Sequence, residues 1–202
     1  MAERKTIVYP NPEVLAQAVA ARTLLTIIDL LAEPDRQRVD IAVTGGTDGI
    51  YVLKVMGESP LADAVDWRRV HVWWGDERFV AADDDDRNAK QAREAWFGKL
   101  IEDGLMPAGN IHEMPADGRD ADEIASASPE QTDAVLAAAA AEYQRELVEQ
   151  LGSEPALDIA MFGVVRTRIS RPCSPTTAKS KSTIRMCWWP ACVIRRNRRR
   201  CA

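Results

Sequence analysis

Cysteine is missing from residues 1–163, and acidic residues are missing from 164–202. The first absence leaves the body of the chain nothing from which to build a disulfide or a thiolate metal site. Histidine is scarce: His71 and His112 are the two in 202 residues, which leaves few imidazoles for acid–base chemistry. No unbroken apolar run approaches the roughly 18–20 residues that cross a bilayer. The opening Met-Ala-Glu-Arg-Lys lacks the apolar stretch of a secretory leader. These absences predict a cytoplasmic protein with no membrane partner. What is present, 46% apolar and 28% charged residues over 202 positions, suits one soluble α/β domain of ordinary size.

The net charge of −5 conceals a break. Residues 1–163 carry 15 Lys+Arg against 31 Asp+Glu, whereas 164–202 carry 11 Lys+Arg and no acid. That last stretch also holds Cys173, Cys187, Cys192 and Cys201 and the adjacent Trp188 and Trp189. The chain therefore divides into an acidic α/β body, 1–163, and a basic Cys- and Arg-rich tail, 164–202.

Strand and helix signals alternate through the body. Thr6–Tyr9 reads as a short strand. Asn11 and Pro12 cap a helix whose apolar stripe is Val14, Ala18, Ala21, Leu25 and Ile28, and Pro34 stops it. Val39–Val43 is a buried-type strand and Ile50–Met56 a helix. Val70–Trp74 is a second apolar strand, and a helix covers Asn88 to Ile101. Ser128-Pro129-Glu130-Gln131 is a capping box opening an Ala-rich helix that ends at Gly152. Leu157–Phe162 is a last strand. Strands separated by single helices predict a three-layer α/β/α fold with a mostly parallel sheet. Ligands bind such sheets beyond the carboxyl ends of the strands, which singles out the turns after Val43, Trp74 and Phe162.

Thr44-Gly45-Gly46-Thr47 links a strand to a helix. Glycines let backbone N–H groups approach an anion, the helix N-terminus favours negative charge, and the threonine hydroxyls add donors. A tight strand-to-helix turn alone accounts for the same residues. Trp74-Gly75-Asp76-Glu77-Arg78 places three ionisable groups past a strand end, where Arg78 can clamp a phosphate bidentately or form an ordinary surface ion pair. Asp83–Asp86 reads as a solvated run before a helix and not as a metal site, because no His or Cys accompanies it. His71 alternates with Val70 and Val72 as a sheet residue. His112 follows a short strand and has no sequence partner. Neither is placed as a base.

Together, Val43-Thr44-Gly45-Gly46-Thr47, Trp74-Gly75-Asp76-Glu77-Arg78 and Asp83–Asn88 resemble the 6-phosphogluconolactonases across residues 1–163. The resemblance implies hydrolysis of 6-phosphogluconolactone in the oxidative pentose phosphate pathway, on a small phosphorylated lactone and with no cofactor. It assigns the substrate phosphate to Thr44, Gly45, Gly46, Thr47 and Arg78, with Asp76, Glu77 and Asn88 supporting. In that family the chain continues as Gly-x-Gly-Pro-Asp-Gly-His, whose histidine activates water, then Ser-Leu-Phe-Pro and Ser-Pro-Lys-Pro-Pro. Here Gly163-Val164 is followed by Val165-Arg166-Thr167-Arg168, so no catalytic residue is assigned. The alternatives are a sugar-phosphate isomerase or deaminase of the same broad fold and a non-catalytic sugar-phosphate-binding module.

The departure has a genetic reading. If Val164-Val165-Arg166 is encoded GTG GTC CGG, restoring one G gives Val-Gly-Pro. GC-rich codons compatible with Thr167 to Ala202 then yield, in that frame, a histidine turn, Ser-Leu-Phe-Pro and Ser-Pro-Lys-Pro-Pro in order. Residues 165–202 are on this reading an out-of-frame readout of a truncated lactonase, without native structure. A nucleic-acid arm built on Arg195–Arg200 explains neither the cysteines nor the tryptophans, and no second Cys pair completes a metal site with Cys187 and Cys192; no nucleic-acid partner is expected. Sequencing the encoding DNA is expected to show a one-base loss near codon 165, and bases that encode the tail without it defeat the frameshift.

Overall fold

The computed structural model describes residues 6–163 and the backbone of 185–187. Its first helix, α1 (Pro12–Leu31), begins where the capping residues place it, with Asn11 Oδ1 accepting from Val14 N at 2.8 Å. The buried stripe is not the expected one. Ala16, Ala20, Thr23, Leu24 and Ile27 face inward, while Val14 and Leu25 are 38% and 47% exposed. Apolar residues surround this helix, so spacing admits two stripes, and the alanine-rich one permits close packing. By length and composition α1 is also apolar enough to cross a membrane. Counting unbroken runs hides this, because Gln17, Arg22 and Asp29 interrupt it.

Strand β1 (Val39–Val43) is buried throughout and leads into helix α2 (Gly46–Glu58), which starts four residues before the expected Ile50. Strand β2 (Val70–Trp74) pairs parallel with β1 in the register Val39↔Val70 to Val43↔Trp74. A short strand, β3 (Asp76–Arg78), follows. The helix from Asn88 runs as α3 (Asn88–Ala92), a π-helical segment (Arg93–Phe97) and α4 (Gly98–Glu102). Helix α5 (Ala121–Ser126) and the long α6 (Pro129–Leu151) both open on capping boxes, at Asp120 and Ser128. Strand β4 (Ile159–Ala160) pairs parallel with the other side of β1.

The sheet order is therefore β2-β1-β4, with Ile111 adding one parallel bridge to Val72 where a short strand is expected before His112. The expected Leu157–Phe162 strand contracts to its two central residues, flanked by Asp158 N→Asp40 O and Met161 N→Ala42 O bonds of 2.9 Å each. Thr6–Tyr9 forms no strand: nothing among the described residues pairs with it, and Val8 is 88% exposed. An extended segment without a ladder partner keeps its backbone bonds to water. Beyond the body, strand β5 (Arg185–Cys187) pairs antiparallel with β3. The expectation of no native structure covers 164–202, and this strand departs from it at 185–187; the other residues of the tail lie outside the described residues.

Both sheet faces are covered. Thr23 of α1 meets Met161, which shares the Ile41 side of the sheet. On the opposite face α6 buries Ala139, Tyr143 and Leu147 at helical spacing. Tyr143 Oη lies 3.1 Å from Trp74 N, which donates to it, and burial pushes its phenol up. The same face holds a chain of polar contacts. Glu146 Oε1 accepts from His112 Nδ1 at 2.6 Å, and His112 Nε2 lies 2.9 Å from His71 Nδ1. A carboxylate only accepts, so His112 donates from Nδ1 and receives the His71 proton at Nε2. The His112 ring stacks on Trp73 at 3.8 Å, and Trp73 Nε1 donates to Asp40, itself clamped by Arg38.

Desolvation, with the charge of Arg38 second, pushes the His71 imidazole down to about 4. Unfolded, the same group titrates near 6.5. As pH falls from about 6.5 toward 4, the unfolded chain takes up a proton that the folded chain refuses, so stability drops across that window and levels below it. His71→Asn, which keeps a donor near the Nδ1 position, is expected to flatten this part of a plot of Tm against pH. An unchanged difference between pH 7 and pH 4.5 in the variant contradicts the assignment.

Candidate active site at the carboxyl ends of the strands

The three turns that follow Val43, Trp74 and Phe162 meet. Gly75 N donates to Val43 O at 3.4 Å. The Phe162 ring lies against Gly75, 3.3 Å from where a Cβ would stand, and Thr44 Oγ1 is 3.8 Å from the corresponding point of Gly163. Parallel register forces this convergence, since neighbouring strands that start level also end level.

Each glycine of the first turn has its own reason. Gly46 adopts φ +78°, a conformation that side-chain-bearing residues avoid. At Gly45 a Cβ would fall 1.8 Å from Asn88 Oδ1, so the Asn88 side chain occupies the space that glycine leaves. Gly45 is the N-cap of α2 and provides no side-chain cap. The N–H groups of the first turn of α2 therefore face the strand ends without a side-chain acceptor, a favourable place for negative charge.

Glu77 joins the second turn to the first. Its side chain is fully buried. Oε1 accepts from Arg78 N and Asn88 N at 2.7 Å each, and Oε2 accepts from Ala89 N at 2.9 Å. A carboxylate at the start of the 88–102 helix satisfies donors that the helix cannot. Burial raises the Glu77 carboxyl above its ordinary value, opposed by those three N–H groups and the nearby Arg87 charge. Asn88 Nδ2 completes the junction by donating to Asp76 O at 2.9 Å. Asp76 thus contributes its backbone carbonyl.

Arg78 makes no ion pair among the described residues, and its Nε is buried with no hydrogen-bond partner. A buried guanidinium N–H left unpaired is costly, and an anion beside it removes that cost. Arg78 lines one groove of about 600 Å³ with Gly46, Thr47 and Asn88. Of the residues expected at the site, these four border the groove, Gly45 and Glu77 stand behind them, and Thr44 faces Gly163. The groove also includes Tyr51, Lys54, Asp86, Gln91 and Glu94, which the sequence reading missed. The spacing Thr47, Tyr51, Lys54 is a helical stripe and was the available signal.

The acidic run does not gather around a metal. Asp84 Oδ1 accepts from Asp86 N, and Lys90 Nζ reaches Asp83 O at 2.9 Å and Asp85 Oδ1 at 2.5 Å. Among the described residues, no group of three His, Cys, Asp or Glu side chains is arranged to hold a metal ion. The two histidines lie on the α6 face of the sheet, paired with each other and, through His112, with Glu146.

A family model described as glucosamine-6-phosphate isomerases/6-phosphogluconolactonase matches residues 10–164. The 6-phosphogluconolactonase of Streptomyces coelicolor is 34% identical over 163 residues, covering 78% of this chain and 56% of the relative. That of Mycobacterium leprae is 31% identical over 180 residues, covering 89% of this chain and 66% of the relative. The solved 6-phosphogluconolactonase from Trypanosoma cruzi superposes with a TM-score of 0.58 at 25% identity, over 78% of this chain and 57% of that one. The chain thus spans between half and two thirds of the length of these relatives.

The junction predicts graded losses. Glu77→Ala leaves three buried N–H groups unpaired and is expected to cost about 3 kcal/mol or more. Glu77→Gln keeps the Oε1 bonds but turns a donor toward Ala89 N, costing about 1–2 kcal/mol. Urea denaturation of both variants checks the order, and equal losses contradict the role given to Oε2.

Proposed function

This chain belongs to the family of glucosamine-6-phosphate isomerases and 6-phosphogluconolactonases, and from that membership we propose that its strand-end groove holds the phosphate of a six-carbon sugar lactone. The unpaired Nε of Arg78, beside the start of α2, carries the reading. In it, the N–H groups of Gly45 and Gly46, the hydroxyls of Thr44 and Thr47 and the Arg78 guanidinium bind the phosphate. Asp76, Glu77 and Asn88 keep those donors in place. The reaction is hydrolysis of 6-phosphogluconolactone to 6-phosphogluconate, a cytoplasmic step of the oxidative pentose phosphate pathway that uses no cofactor.

Lactone hydrolysis needs an anchored ring, a base for water and donors for the developing oxyanion. The groove supplies the first. A base does not come from His71 or His112, which are bonded to each other and, through His112, to Glu146 on the α6 face. On this reading residues 1–163 are the lactonase-like domain, and 164–202 stand where the water-activating histidine belongs. The 202-residue chain then binds the phosphosugar and turns over little or none of it, while the frame-restored protein hydrolyses it.

Of the two activities in the family's description, the lactonase is favoured by the curated relatives. Release of ammonia from glucosamine 6-phosphate by the frame-restored protein reverses that choice. Calorimetric titration of the full chain with 6-phosphogluconate is expected to give saturable binding that Arg78→Met weakens about tenfold or more. Binding unaffected by that substitution overturns the phosphate site, and brisk lactone opening by the 202-residue chain overturns the assignment of the missing base.

A further inference from the structure

The groove does not end at the phosphate donors. It runs on between α2 and the 88–102 helix, with Tyr51 and Lys54 on one wall and Gln91 and Glu94 on the other. Eight residues separate Gly46 from Lys54, so the groove extends about 12 Å along α2. A six-carbon chain with a phosphate at one end and a carboxylate at the other spans roughly 9 Å when extended, at ~1.5 Å per bond. The lysine stem covers the difference.

The side chains along the groove are unequally committed. Glu94 pairs with Lys90 on its own helix at 3.9 Å. Gln91 Nε2 donates to Asp85 O at 2.6 Å, which leaves its Oε1 to accept from a ligand hydroxyl. Lys54 is exposed and makes no ion pair among the described residues. Two cations thus line one groove, Arg78 beside the start of α2 and Lys54 two turns further along it, together with the Gln91 amide and the carboxylates of Asp86 and Glu94.

We propose that Lys54 pairs with a second anionic group at the far end of an open-chain phosphorylated sugar acid, so that the groove selects a ligand with a carboxylate over one with a neutral terminus. The proposal rests on the reading of Arg78 and the Gly45-Gly46 turn as the phosphate anchor. Its chemical consequence is discrimination between the two sides of the hydrolysis. A lactone carbonyl is neutral, whereas the ring-opened acid is charged, so Lys54 favours the opened form and retains it after hydrolysis.

The test uses the full chain and three probes in calorimetric titrations at low ionic strength: 6-phosphogluconate, glucitol 6-phosphate and inorganic phosphate. Glucitol 6-phosphate has the same chain length without the carboxylate. The wild-type chain is expected to prefer 6-phosphogluconate over glucitol 6-phosphate by about threefold to fivefold, the size of a partly exposed ion pair. Lys54→Met removes that preference and leaves affinity for the other two probes unchanged, while Lys54→Arg preserves it. A preference that survives Lys54→Met, or none in the wild type, overturns the role of Lys54 and leaves the anchor standing. Should Arg78→Met leave inorganic phosphate binding intact, the anchor itself fails and the inference falls with it.

Discussion

One buried carboxylate organises the mouth of this sheet. Glu77 accepts from the backbone of Arg78 on one side and of Asn88 and Ala89 on the other, binding a strand end to a helix start. Asn88 then fills the space left by the missing side chain of Gly45, so the first strand-end turn is positioned by the second. The backbone of Arg78 is fixed by this arrangement. Its Nε, by contrast, is buried with no hydrogen-bond partner among the described residues, so an anion that meets it removes a cost already present in the fold.

The α6 face of the sheet and its carboxyl ends use polar chemistry differently. On that face, donors meet acceptors within the protein: Arg38 with Asp40, Trp73 with Asp40, His71 with His112, and His112 with Glu146. The last of these bonds reaches α6 itself. At the carboxyl ends an excess of donors remains: the first turn of α2 has no side-chain cap, and Arg78 Nε has no hydrogen-bond partner among the described residues. A site for an anion is expected where such an excess persists, because an unsatisfied N–H is costly until a ligand or water meets it.

The chain spans 56% of the Streptomyces coelicolor relative and 66% of the Mycobacterium leprae one. Thr44 lies beside Gly163, so the point at which the composition changes is also a point where two of the strand-end turns meet. The break in composition after residue 163 therefore falls beside the strand-end turn that holds Thr44.

Strands β1 and β2 and the capped starts of α1 and α6 were legible in the sequence, because each depends on residues near one another in the chain. Asn11 needs only the three residues after it, Ser128 only Gln131, and Val39–Val43 is apolar enough to be buried whatever surrounds it. Local chemistry also marked Gly45, Gly46 and Arg78. The buried stripe of α1 was not legible, since a helix apolar on several sides is oriented by what it meets and not by its own period. Nor were the pairings of His112 with Glu146, 34 positions on, or of His71 with His112, 41 positions on, separations that only packing closes. Thr6–Tyr9 had strand-forming residues and lacked a partner, which no local pattern reports. Residue chemistry by itself determined which groups could hold an anion; tertiary packing decided that Glu77 would be consumed as a clamp, that Arg78 Nε would find no partner among the described residues and that Lys54 would share its groove, because satisfying a buried group requires atoms from distant parts of the chain.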